Sequence, residues 1–211
     1  TVRRLARLYR SVYPGWSEDY FARMEKLFPI SFDARLGKMS KGMQRQAAIL
    51  LGLSTQPRCI LFDEIFDGLD PVVRELVKKL LVDFVAENGA SVMIASHNLR
   101  ELEDVCDHVG LLHRGGALCE DDLDRLKLGI TRVQFALADP ADFDTVRAGL
   151  NLLKCSQQGK LFEMTVRGTE TETLALVQRL HPLFCETLLI TLEELFISEM
   201  EVAGYDINKV I

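Results

Sequence analysis

Two short apolar segments on either side of a capped helix constrain the fold of this chain more than any other feature. Residues 59–62 and 91–95 are almost uninterrupted apolar runs. Between them, Asp70 and Pro71 predict a helix start, because aspartate caps helix N-termini and proline is tolerated at the first helical position. Gly89 predicts the end of that helix. A strand, a helix and a second apolar strand are typical of a parallel sheet buried on both faces, which gives an α/β fold class.

The remaining periodicity divides the chain into two parts. Apolar positions at helical spacing predict helices within residues 1–36 and over 41–53, and residues 109–112 and 117–119 predict a hairpin. After residue 127 the pattern alternates as in half-buried antiparallel strands. We therefore predict an α/β part over 1–128, with a mainly helical portion over 1–54 and a strand-containing core over 55–128. A small α+β appendage is predicted over 129–211.

Composition excludes several classes of protein. The 211 residues carry 31 acidic and 25 basic side chains, a net charge of −6, whereas a non-specific nucleic-acid binder needs a basic stripe. No apolar run approaches the roughly 20 residues of a membrane-spanning helix. Five scattered cysteines with no Cys-x-x-Cys pair predict reduced thiols and no zinc site. We expect no nucleic acid and no zinc among the partners.

Two carboxylates follow the first apolar strand. Asp63 and Glu64 are expected at the carboxyl edge of a parallel sheet, where open α/β folds bind ligands. The first carboxylate can hold Mg²⁺ through water, and the second can deprotonate a water that attacks a terminal phosphate. The alternative is a strand that simply ends in a polar turn.

Further polar motifs recur in a fixed order around this pair. Ser40 and Gly42 open a helix, whose free N–H groups and dipole favour a phosphate, although an ordinary helix cap has the same sequence. His97 follows the second strand, where a purely structural histidine is the alternative. The joint order and spacing of the motifs, rather than any one of them, favours a nucleotide site.

Over residues 36–116 these motifs resemble the ABC ATPase family. The signature motif corresponds to residues 39–44, Walker B to 60–64, the D-loop to 68–70 and the H-loop to His97. The resemblance implies the C-terminal portion of a P-loop NTPase domain. It also implies that the helices before Gly37 form the family's helical subdomain, which docks onto membrane partners.

The resemblance implies a role for each site residue. Asp63 would coordinate Mg²⁺, Glu64 would be the catalytic base, His97 would contact the γ-phosphate of ATP, and Asp70 would communicate across a dimer. The signature motif would close over the ATP that the opposite subunit holds; its residues are Ser40, Lys41, Gly42, Met43 and Gln44.

The chain departs from the family pattern at two places. The usual Leu-Ser-Gly-Gly-Gln reads Met-Ser-Lys-Gly-Met over residues 39–43, a variant of a bacterial subgroup with membrane-protein partners and an appended C-terminal domain. Ile65, Phe66 and Asp67 replace the usual Pro-Thr-Ser. Slower hydrolysis and an altered dimer contact are both open interpretations of this second change.

The 211 residues contain no Gly-x-x-x-x-Gly-Lys-[Ser/Thr] sequence to bind phosphates through backbone N–H groups. We expect a segment upstream of Thr1 to carry it, because strands that are apolar on both faces need cover. The alternative is a truncated or degenerate protein that has a non-catalytic regulatory or interaction role.

The expected function is an ATP-hydrolysing subunit that powers a bacterial ABC transporter. The resemblance implies a dimer, homomeric or heteromeric, beneath membrane-spanning subunits, at the cytoplasmic face of the membrane. The cofactors implied are ATP and Mg²⁺. A DNA-repair or chromosome-organising ATPase head is disfavoured because no sustained heptad precedes the signature motif. A ribosome-acting ABC protein would need two cassettes and a basic linker.

Overall fold

The computed structural model describes residues 1–202, which divide into two compact units, the first being Thr1–Val105 and the second beginning at Cys106. This division differs from the predicted boundary at 128/129. The strands over residues 108–113 and 116–122 pair with each other, and this hairpin belongs to the second unit. Residues 203–211 of the predicted appendage lie outside the described residues.

The first unit contains the predicted helices and both apolar strands. Asp70 caps the helix Pro71–Asn88 (α4), and its carboxylate accepts hydrogen bonds from the N–H groups of Val72 and Val73 at 3.1 and 3.0 Å. Gly89 ends that helix in the left-handed conformation, with φ of 60°. The elements are α1 (Val2–Val12), α2 (Glu18–Leu27), a 3₁₀ turn (Leu36–Lys38), α3 (Lys41–Ser54), β1 (Cys59–Asp63), α4 (Pro71–Asn88), β2 (Ser91–Ala95) and α5 (Leu99–Glu103).

Strands β1 and β2 are parallel neighbours, which confirms the predicted strand–helix–strand unit. One face of this pair packs on the core of the first unit, through residues such as Phe62 and Ile94. On the opposite face, Leu61 and Met93 are direct register partners and are 70% and 67% exposed. Within Thr1–Val105, therefore, these apolar strands are covered on one face only.

The core of the first unit lies between the helices and the inner face of β1 and β2. Tyr20 on α2 packs edge-on against Phe84 on α4, with ring centroids 5.9 Å apart. The largest fully buried side chains of this core are Met24, Leu50, Leu51, Leu53, Phe66 and Phe84. The same core anchors the start of α3 and the loop after β1.

The second unit consists of a hairpin and a small antiparallel sheet. Its sheet has the strand order β6 (Leu152–Gln158), β7 (Leu161–Arg167), β5 (Ile130–Ala136) and β8 (Phe184–Leu188). Phe135, Phe143 and Phe162 form the centre of its core. Strand β8 is an addition to the sequence-based expectation. The elements are β3 (His108–His113), β4 (Gly116–Asp122), α6 (Leu123–Leu128), β5 (Ile130–Ala136), α7 (Asp144–Arg147), β6 (Leu152–Gln158), β7 (Leu161–Arg167), α8 (Glu170–Gln178), β8 (Phe184–Leu188) and α9 (Leu192–Val202).

The cysteine side chains that the structure describes, at positions 59, 106, 155 and 185, are free thiols. None of the helices within residues 1–202 is both long and apolar enough to cross a membrane.

Candidate functional site

The parallel register of β1 and β2 brings Glu64 next to Ser96 and His97. The N–H of Glu64 donates to the carbonyl oxygen of Ala95 at 2.8 Å, which extends the ladder beyond the last strand pair. The Ser96 hydroxyl donates to Glu64 Oε2 at 3.1 Å, and the His97 backbone N–H donates to Oε1 at 3.2 Å. Both oxygens of this carboxylate therefore have partners at the carboxyl end of the sheet.

The imidazole of His97 forms the closest side-chain contact to Glu64, with Nδ1 2.7 Å from Oε1. This hydrogen bond is the main cause that lowers the pKa of Glu64, and desolvation opposes it in part. The same hydrogen bond raises the pKa of His97. The two residues predicted as catalytic thus lie in direct contact, and the contact favours an ionised carboxylate beside a protonated imidazole.

Glu64 has an unusual backbone conformation. Its φ is +48°, in the left-handed region that few residues other than glycine adopt. Arg45 on α3 donates through Nη1 to the carbonyl oxygens of Glu64 and Asp67, the second contact measuring 2.6 Å. Sequence reasoning missed Arg45; the available signal was its position one helical turn after Gly42, on the same face of the helix.

The signature segment forms a capped helix start. Ser40 Oγ accepts from the Met43 N–H at 3.2 Å, and the Gln44 amide donates to the Met39 carbonyl at 3.0 Å. Ser40 and Lys41 are exposed. Ser40 therefore caps α3, and the start of this helix is exposed to solvent.

Gly42 is buried against the D-loop of the same chain. A Cβ atom added to Gly42 would lie 2.3 Å from the carbonyl oxygen of Gly68, closer than real contacts allow. Only glycine permits this approach without a shift of backbone. The signature helix and the D-loop are thus in contact within one chain, at Gly42, and through Arg45 at the loop that precedes Gly68.

The two aspartates of the predicted site have different surroundings. Asp63 is the last residue of β1 and is exposed, whereas the Asp70 carboxylate caps α4. The ligand atoms of Glu64, Asp67 and His97 lie within 4.8 Å of one another, a set that does not include Asp63. Mg²⁺ prefers oxygen ligands and keeps much of its water. The exposed Asp63 carboxylate fits that preference better than a set that contains an imidazole.

The two residues directly after Glu64 pack into the core of the first unit. Ile65 and Phe66 are 2% and 1% exposed and belong to the core of the first unit. Asp67 is exposed, and its carbonyl accepts from Arg45. Ile65 and Phe66 therefore anchor the loop after β1 in the core of the first unit.

The chain is similar in sequence to ATP-binding proteins of bacterial transport systems. No protein-family model matches the chain. The ABC transporter ATP-binding protein YtrB of Bacillus subtilis is 29% identical over 199 residues, covering 94% of this chain and 68% of YtrB. The bacitracin transport ATP-binding protein BcrA of Bacillus licheniformis is 34% identical over 105 residues, covering 49% of this chain and 34% of BcrA. A fluoroquinolones export ATP-binding protein of Mycobacterium tuberculosis is 26% identical, covering 80% of this chain and 56% of its own length.

Solved structures share the fold. An ATP-binding subunit of an ABC transporter matches with a TM-score of 0.55 and 26% identity, over 60% of this chain and 55% of that one. An ATP-binding protein assigned to cobalt transport matches with a TM-score of 0.51 and 18% identity, over 86% and 65% of the two chains, which supports the fold alone. The chain is therefore a homologue of ABC transporter ATP-binding proteins and has the α/β fold of their ATPase domains.

Proposed function

We propose that the chain is part of an ATP-hydrolysing subunit that powers a bacterial ABC transporter, with Glu64 as the catalytic base. The observation that supports this proposal is the arrangement of Glu64 with Ser96 and His97 at the carboxyl end of two parallel strands. Ligands of open α/β sheets bind at this edge.

The protonation of Glu64 fits the role of a base. A glutamate is ionised at neutral pH, and the hydrogen bond from His97 lowers the pKa of Glu64 further. The carboxylate can therefore accept a proton from a water that attacks the terminal phosphate. The His97 side chain is 77% exposed and is free to turn from Glu64 towards a γ-phosphate. That movement would release the carboxylate oxygen to which Nδ1 now bonds.

Asp63 is the residue that we propose for Mg²⁺, held through water. When bound, Mg²⁺ neutralises charge on the phosphate oxygens. The exposed position of Asp63 at the end of β1, directly before Glu64, supports this assignment.

We further propose that ATP lies between two such subunits. The exposed start of α3, with Ser40 as its cap and Lys41 beside it, offers N–H groups, the positive end of a helix dipole and an ammonium to a phosphate. These groups would act on the nucleotide of the opposite subunit. Membrane-spanning transporter subunits are the proposed partners, and the subunit would lie at the cytoplasmic face of the membrane.

The 211 residues contain no glycine-rich phosphate loop. We therefore propose that this chain alone does not hydrolyse ATP and that a complete site requires such a loop from further polypeptide. The same observation favours one alternative, a non-catalytic regulatory or interaction protein. ATP turnover by the purified complete protein would exclude this alternative, and lack of turnover in the presence of Mg²⁺ would favour it.

Replacement of Glu64 tests the proposed base. Glu64→Gln keeps the size of the side chain and removes its basicity, so ATP turnover should fall at least about a hundredfold while ATP binding is retained. Glu87→Gln is a matched control, because Glu87 is an exposed carboxylate on α4 that pairs with Arg23. Unchanged turnover in Glu64→Gln would refute the role of Glu64.

A further inference from the structure

We propose that Arg45 is a positioning residue that holds the Glu64 loop on the signature helix of the same chain. This inference rests on the proposed function, because it concerns the residue proposed as catalytic base. Arg45 lies outside the signature motif at residues 39–44, and the family resemblance assigns it no role.

The half-buried Arg45 side chain donates hydrogen bonds to the backbone of the loop after β1. One guanidinium nitrogen, Nη1, donates to two backbone carbonyls, those of Glu64 and Asp67. The Asp67 N–H also donates to the Glu64 carbonyl at 3.2 Å, so the segment folds into a turn around the guanidinium. Hydrogen bonds from a charged donor are stronger than those between neutral groups.

The backbone of Glu64 needs such support. At a φ of +48° this residue lies in a conformation that an L-residue maintains only where its surroundings favour it. Without Arg45 the turn can relax towards a right-handed φ. That relaxation would direct the carboxylate away from Ser96 and His97.

Arg45 also gives α3 a second point of attachment to the loop. Gly42, one turn earlier on the same helix face, lies against Gly68. Helix α3 therefore contacts both the beginning and the end of segment 64–68, and the same helix starts at Ser40. A displacement of Ser40 by a nucleotide on the partner subunit would reach Glu64 through one rigid helix.

The test combines hydrogen exchange with ATP turnover in three variants of the complete protein. In Arg45→Ala, we expect the amides of residues 64–67 to exchange about tenfold faster, and kcat to fall about tenfold with KM for ATP changed less than about twofold. Arg45→Lys should recover most of kcat, since an ammonium also donates to two carbonyls. Arg23→Ala is the control: Arg23 is an arginine of the same unit that pairs with the exposed Glu87.

Several outcomes would overturn the proposal. Exchange at 64–67 that is equal in Arg45→Ala and Arg23→Ala would show that Arg45 does not hold the loop. Faster exchange throughout residues 1–105 would show a general structural role instead. Faster exchange at 64–67 with unchanged kcat would show that the loop is held for no catalytic purpose. If the unaltered protein hydrolyses no ATP, the proposed function fails, and exchange at 64–67 alone decides whether Arg45 fixes the loop.

Discussion

Substitution of Gly42 by alanine should destabilise the first unit even in the absence of nucleotide. The added Cβ atom would lie 2.3 Å from the carbonyl oxygen of Gly68 and 3.3 Å from its carbonyl carbon. Both atoms belong to backbone, so no side chain can rotate to relieve the clash. Either α3 or the D-loop must move.

The expected cost follows from measured effects of overpacking. Inserting one methyl group into a close-packed interior costs about 1–3 kcal/mol. The intrinsic gain in helix propensity from glycine to alanine, up to about 1 kcal/mol, offsets part of this cost. Because both clashing atoms belong to backbone, the cost should lie in the upper part of this range. We therefore expect a net loss of about 1–2 kcal/mol in the free energy of unfolding of the first unit, measured by urea denaturation without ATP.

Gly37→Ala is the matched control for this experiment. A Cβ atom at Gly37 would meet nothing within 4 Å, and this glycine has no positive φ. Its replacement should leave stability unchanged or raise it by about 0.5 kcal/mol through the unfolded state. A Gly42→Ala protein as stable as the Gly37→Ala protein would refute the close approach of α3 to the D-loop.

Two further predictions concern the loop after β1 and the contact between Glu64 and His97. Phe66→Ala should lower the free energy of unfolding by about 3–5 kcal/mol, because the ring is fully buried. A loss below about 1 kcal/mol in urea denaturation would contradict the place of Phe66 in the core. The pKa of His97 is raised mainly by its hydrogen bond to Glu64, so NMR titration of the ring should give a lower pKa in Glu64→Gln than in the unaltered protein. The stabilisation from this contact should be lost as pH rises through the folded pKa of His97 and as pH falls through that of Glu64. An unchanged His97 pKa in the variant would show that the contact is absent in solution.

Local signals in the sequence were sufficient to predict much of the first unit. Asp70, Pro71 and Gly89 specify the limits of α4, and the two apolar runs beside that helix specify parallel strands. Because carboxyl ends of neighbouring parallel strands meet at one edge, the proximity of Glu64 and His97 also followed from the sequence.

The contacts that fix the loop could not be predicted in the same way. Arg45 reaches backbone carbonyls 19 and 22 residues away, and such contacts depend on how α3 packs rather than on its periodicity. The burial of Ile65 and Phe66 was equally hidden, because the left-handed backbone at Glu64 interrupts the alternation of β1. Strand β8 was missed because three of its five residues are exposed and its sequence, Phe-Cys-Glu-Thr-Leu, does not alternate between apolar and polar residues.

Complementation between two inactive variants shows whether Glu64 and Ser40 serve ATP sites that two subunits share. Ser40→Asp keeps a helix cap but opposes a phosphate, and Glu64→Gln removes the proposed base. Each variant alone should lack turnover at both sites of its dimer. In an equal mixture about half the dimers are mixed and have one intact site, so about a quarter of the unaltered ATP turnover should return. A mixture no more active than either variant alone would contradict the shared site.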